Sequence, residues 1–177
     1  MTIQELIQQA LEVGFSHVCE LNMEALQPLP AVRDMCAADK CKQYNKSWSC
    51  PPGCGTLEEM NEKMHSYSAG ILVQTTAELE DDFDFETMMT ASQDHKEHFM
   101  ELHDKLCDMG VRCLFMATGA CNLCAECTYP DAPCRFPDRI MPSMEACGLL
   151  VSQVCKDSGM EYYYGKGTLT YTACILI

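Results

Sequence analysis

Residues 111–137 read VRCLFMATGACNLCAECTYPDAPCRFP, and the architecture turns on how this stretch is understood. Its first part, Val111 to Thr118, is apolar and β-rich and predicts a buried strand. Thiols follow at Cys121, Cys124 and Cys127, every third residue, with Cys134 at a distance. A cubane iron–sulfur cluster suits this spacing, because three cysteines of one tight loop hold three irons and a remote one caps the fourth. Backbone N–H groups between the thiols then point at the cluster sulfurs and tune the potential. Structural zinc more often pairs two separated Cys-x2-Cys knuckles, so it matches three successive x2 spacings less well and stands as the alternative. A disulfide framework needs an oxidising compartment. The opening MTIQELIQQALEVGF shows no basic start, long apolar core or small-residue cleavage site of a secretory signal.

Working outward, helices and strands alternate. Ile3, Leu6, Ile7, Ala10, Leu11 and Val13 recur at helical spacing behind a Thr2/Glu5 capping box, and Gly14 stops that helix. FSHVCEL reads as a strand, residues 31–35 as a short helical piece, and Thr56 as the cap of a helix over TLEEMNEKMHSY. ILVQTT is an apolar strand, and ELEDDFDFE an acidic loop or helix start. A helix runs from about Phe85 to Met109 with Phe99, Leu102 and Leu106 on one face. Beyond the cysteines, Pro142 and Ser143 start a helix through SMEACGLLVSQVCKDSG. MEYYYGKGTLTYTACILI closes the chain as a hairpin turning at Gly165-Lys166-Gly167. This order predicts an α/β fold, a single domain over 1–177 with a mixed sheet flanked by helices and a C-terminal β-hairpin. Cysteine-rich loops at 36–54 and 121–137 are inserts on that core.

The earlier loop carries Cys36, Cys41, Cys50 and Cys54 in a C-x4-C-x8-C-x3-C array. Four thiols so close together predict a second metal site, a further cluster or a structural zinc, although zinc spacings differ from these. The alternative is that one of these cysteines supplies the fourth ligand of the first site and leaves Cys134 free. Prolines after Cys50 stiffen the loop and remove N–H donors.

Several residues carry a family resemblance. Cys41, Tyr44, Trp48, Cys50, Pro51 and Pro52 are followed by CNLCAEC, by Cys134, Arg135, Phe136 and Pro137, and by Pro142, Ser143, Met144, Glu145, Ala146 and Gly148. From about Arg33 onward the chain resembles the "predicted metal-binding protein" family, domain of unknown function 2284. The resemblance implies metal bound through cysteine and names no reaction. Asn45 stands where that pattern has glycine, in keeping with a left-handed turn residue.

The remaining chemistry is sparse. Cys19, Cys107, Cys113, Cys147, Cys155 and Cys174 fall in apolar patterns and read as small buried hydrophobes. His95, His98 and His103 read as part of a solvated helix face, and no HExxH pattern occurs. Arg135, next to Cys134, has three readings: pairing with an anionic cluster, binding a substrate carboxylate, or balancing charge and packing. Twenty-six acidic against 12 basic residues give a net charge of −14, which argues against nucleic acid and suits docking to a basic face of a redox partner. No stretch approaches the ~20 apolar residues of a membrane span. Fourteen cysteines and 13 methionines suit a reducing cytoplasm and an anaerobic habit. The expectation is thus a cytoplasmic iron–sulfur protein with one or two [4Fe–4S] clusters, passing electrons at low potential to a larger partner. Its rivals are a cluster-containing enzyme or accessory factor acting on a small molecule or corrinoid-type partner, and a zinc-binding structural module.

Overall fold

The computed structural model describes residues 1–177. In chain order the elements are α1 (Ile3–Val13), β1 (His17–Glu20), α2 (Pro30–Ala37), α3 (Leu57–His65), β2 (Gly70–Glu78), α4 (Phe85–Asp108), β3 (Leu114–Met116), α5 (Val151–Asp157) and β4 (Thr168–Leu176). The α/β class and the helix starts follow from local sequence. Thr2 with Glu5, and Thr56 with Glu59, close capping boxes that satisfy the free N–H groups of α1 and α3. Asp84, inside the acidic stretch, caps α4 by accepting from Thr87 N.

The four strands form one sheet in the order β1-β2-β4-β3, antiparallel at every strand pair. The sheet is therefore not mixed; the one parallel pairing is an isolated bridge between Ala117 and Ser143. Successive side chains on a strand point to opposite faces, so the β2–β4 register sorts the core into two layers. Ile71, Val73, Ala173 and Ile175 pack with Phe115 and the inner faces of α1 and α4. Leu72, Cys174 and Leu176 pack on the other side with Met60 and Met64 of α3 and Val154 and Cys155 of α5. Helices cover both faces.

Three further sequence expectations change in the fold. The C-terminal hairpin is absent, and only β4 is a strand. Its expected partner is held elsewhere: buried Gln74 of β2 donates from Nε2 to Glu161 O at 2.9 Å, and Tyr164 donates its hydroxyl to Gln74 Oε1 at 2.8 Å. The helix expected from Ser143 begins only at Val151, because Gly148 turns left-handed at φ 84. A Cβ there would lie 2.5 Å from Leu57 Cδ2, so glycine also lets α3 approach. The histidine face of α4 is not solvated. His95 and His103 are buried against the sheet, and His95 Nδ1 lies 3.0 Å from Thr75 Oγ1.

Burial, with smaller contributions from His98 and Lys96, pushes the His95 ring pKa down from 6.5 to about 3. The folded chain therefore keeps this ring neutral where the unfolded chain protonates it. Its stabilising contribution is complete above pH 6.5 and is lost progressively as pH falls toward about 3. Urea melts of the native protein and His95→Gln between pH 7 and pH 5 should show the native midpoint falling more steeply, with a slope difference approaching ~1.4 kcal/mol per pH unit. Parallel slopes would remove the neutral buried ring from the account.

Candidate metal centre

Each cysteine loop is closed at its base by the sheet or its helices. The later loop leaves β3 at Ala117 and returns at Ser143, where Ala117 N donates to Pro142 O at 2.9 Å and Met144 N donates to Ala117 O at 3.1 Å. Cys121, Cys124, Cys127 and Cys134 all line one small cavity of about 30 Å³, together with Trp48 and Ser49 from the earlier loop. Local hydrogen bonds hold the thiols in place. Phe136 N donates to Cys134 Sγ at 3.3 Å, and the Leu123 N–H does the same for Cys121. Arg135 is exposed and donates to Glu126 O at 2.7 Å, which ties the arm carrying Cys134 back to the turn before Cys127. That contact favours its packing reading.

The earlier loop lies between α2 and α3. Cys36, Cys41 and Cys50 line a cavity of about 350 Å³ with Lys40, Tyr44 and Glu145. Cys54 lies deeper, donating to Ala146 O at 3.7 Å, while Cys36 donates to Glu145 O at 3.9 Å. The PSMEA segment thus backs the earlier cysteines rather than the later ones that precede it in sequence. Gly119 and Ala120, immediately before Cys121, form part of the same wall, so the two cysteine groups are neighbours.

The loops interlock. Cys121 N donates to Ser49 Oγ at 3.2 Å, and Ser49 in turn meets Ser47 Oγ at 3.1 Å. Trp48 packs edge-on to Tyr129 at 4.9 Å and donates from Nε1 to Ala132 O at 3.1 Å. Tyr129 donates its hydroxyl to Asn45 Oδ1 at 2.8 Å, and Asn45 is left-handed at φ 57. Tyr44, Asn45 and Trp48 stood out in the sequence only as motif positions. Gly53, Ser49 and Tyr129 carried no sequence signal for this contact, since each matters through a partner more than seventy residues away.

The electrostatics suit a thiophilic ion. Burial raises the Cys121 thiol pKa, and the neighbouring Cys134, Cys124 and Cys127 raise it further. Cys36 and Cys54 are likewise raised by burial first, Arg33 lowering and other thiols raising them. Thiols crowded in this way resist ionising together unless a cation joins them. No group of three or more Cys, His, Asp or Glu side chains is drawn together as a ready ligand set. The donor chemistry nevertheless fits metal, since each loop offers a set of four thiols.

Residues 19–177 match the model of a family described as predicted metal-binding protein, domain of unknown function 2284. The chain belongs to this family. The match takes in both cysteine groups and leaves α1 outside. Neither the curated proteins nor the solved structures contain a match to the chain. Membership establishes a predicted metal-binding protein and leaves the metal unnamed. No helix is long and apolar enough to cross a membrane.

The other six cysteines divide. Cys147, Cys155 and Cys174 are buried in the core, and burial pushes the Cys147 thiol up to about 12. Cys19 and Cys113 are half-buried. Cys107 departs from the expectation of burial: it is exposed, on the outer edge of α4, with Sγ 3.5 Å from His103 Nε2.

Gly53 offers a direct test of the interlock. A Cβ there would press on the Ser47 carbonyl oxygen and come within 2.8 Å of Tyr129 Cε2. Gly53→Ala should destabilise the fold by about 1–3 kcal/mol and lower Tm by about 2–12 °C. Bound metal should fall at both cysteine groups, read by elemental analysis; a variant with native Tm and metal content would show the loops to be independent.

Proposed function

We propose that this family member is an iron–sulfur protein that exchanges single electrons with a partner protein. Cys121, Cys124, Cys127 and Cys134 hold a [4Fe–4S] cluster, and Cys36, Cys41, Cys50 and Cys54 hold a second metal centre. The observation that carries this reading is that all four later thiols line one cavity, combined with a spacing that suits a cubane better than a tetrahedral ion. A cluster supplies reversible one-electron chemistry when bound. The chain's own part is to keep water away and to stabilise the sulfurs. Trp48 walls the cavity, and the N–H groups of Leu123 and Phe136 face the sulfurs of Cys121 and Cys134, where they would stabilise the negative charge of a ligated sulfur. With a net charge of −14, the surface suits a partner that presents a basic face.

One observation favours a second reading, an enzyme or accessory factor. The cavity beside Cys36, Cys41 and Cys50, at about 350 Å³, is much larger than the one at the later thiols and brings Lys40, Gln43, Tyr44 and Glu145 alongside them. That space and those polar groups suit a small molecule bound next to a metal.

Protein purified without air should be brown, with broad absorption near ~400 nm and about four or eight irons per chain with matching sulfide. Cys124→Ser should lose half or all of that iron. Colourless protein carrying one or two zincs would leave a structural metal module in place of the redox protein, and unchanged iron in Cys124→Ser would remove the later loop from the site.

A further inference from the structure

Arg33 is the one residue in this protein whose buried charge lacks its partners. Its Nε and Nη2 are buried without a hydrogen-bond acceptor, and only Nη1 is satisfied, donating to Gly55 O at 2.8 Å. Native proteins pair buried guanidinium groups almost without exception, because stripping water from a permanent cation is costly unless an anion or acceptor replaces it. The free donors therefore mark the place of an anion.

Its position says which one. Arg33 lies on α2 one turn before Cys36, and residues three apart share a helix face. The carbonyl it holds belongs to Gly55, directly after Cys54. The guanidinium is thus anchored to the backbone next to Cys54, from a helix that also carries Cys36. It is the only cation whose charge favours the thiolate at both Cys36 and Cys54. Glu145 acts on Cys36 in the opposite sense.

We propose that Arg33 is the built-in counter-ion of a thiolate-bound metal centre at Cys36, Cys41, Cys50 and Cys54, donating its free N–H groups to the metal-bound sulfurs. The proposal rests on the second metal centre argued above. A divalent ion held by four thiolates carries a net negative charge, and a fixed guanidinium fork offsets it while satisfying donors that otherwise have none. A lysine would keep the charge and lose the fork.

Anaerobic titration of the reduced full chain with Co²⁺ tests this, since cobalt–thiolate absorption reports sulfur ligation whichever metal is native. The native chain should fill two sites. Arg33→Gln should weaken one of them by about 10- to 100-fold and leave the other unchanged. Arg33→Lys should weaken the same site less. Native binding at both sites in Arg33→Gln would overturn the proposal, as would equal weakening of both, which would mark a general packing role. Should Arg33→Gln fail to fold by circular dichroism, Arg33→Lys decides alone: weakening at one site supports the counter-ion, and native binding at both overturns it. Cys36→Ser separates the underlying reading. Unchanged Co²⁺ binding in that variant removes the earlier metal centre itself, and the proposal with it.

Discussion

The pairing of β2 with β4 is the constraint on which the remainder of the structure hangs. Gly70–Glu78 runs antiparallel to Thr168–Leu176 along its whole length, and this ladder is the spine of the sheet. It joins the middle of the chain to its end, and β1 and β3 then add to its two sides. Gly70 permits the close approach that starts it, since a Cβ there would fall 2.6 Å from both Ile175 O and Leu176 Cδ2. Once the register is set, alternation of side chains assigns α1 and α4 to one face and α3 and α5 to the other.

That arrangement brings the two cysteine loops together. The later loop begins where β3 ends beside β4, and the earlier loop is suspended between α2 and α3, with α3 packed on the same side of the sheet as α5. The bridge between Ala117 and Ser143 closes the later loop and aims the PSMEA segment at Cys36 and Cys54. Trp48, Tyr129, Asn45 and Ser49 then fasten one loop to the other through hydrogen bonds and an aromatic edge contact. Two thiol-rich segments far apart in sequence become adjacent walls.

Charge follows the same logic. The chain is strongly acidic, yet Arg33 buries two unpartnered guanidinium nitrogens while holding the carbonyl next to Cys54, and Arg135 is spent on a backbone carbonyl at the surface. Sequence proximity to a cysteine favoured Arg135. Burial and orphaned donors favour Arg33, three residues from Cys36 along a helix.

Local order was legible in the residues alone. Caps, glycine stops and apolar periodicity located α1, α3 and α4, and the thiol spacing marked both loops, because each of these depends on residues within a few positions of one another. The hairpin and the long helix after Pro142 failed for a common reason: Gln74 and Leu57, remote in sequence, hold Glu161 and crowd Gly148. The burial of His95 and His103, and the exposure of Cys107, likewise depend on which side of α4 meets the sheet. By itself, then, the sequence determined the α/β class, the inventory of thiols and the family. Tertiary structure alone decided the strand order, which thiols are neighbours and which arginine buries unpartnered donors, because burial and long-range pairing are properties of contacts that local spacing does not encode.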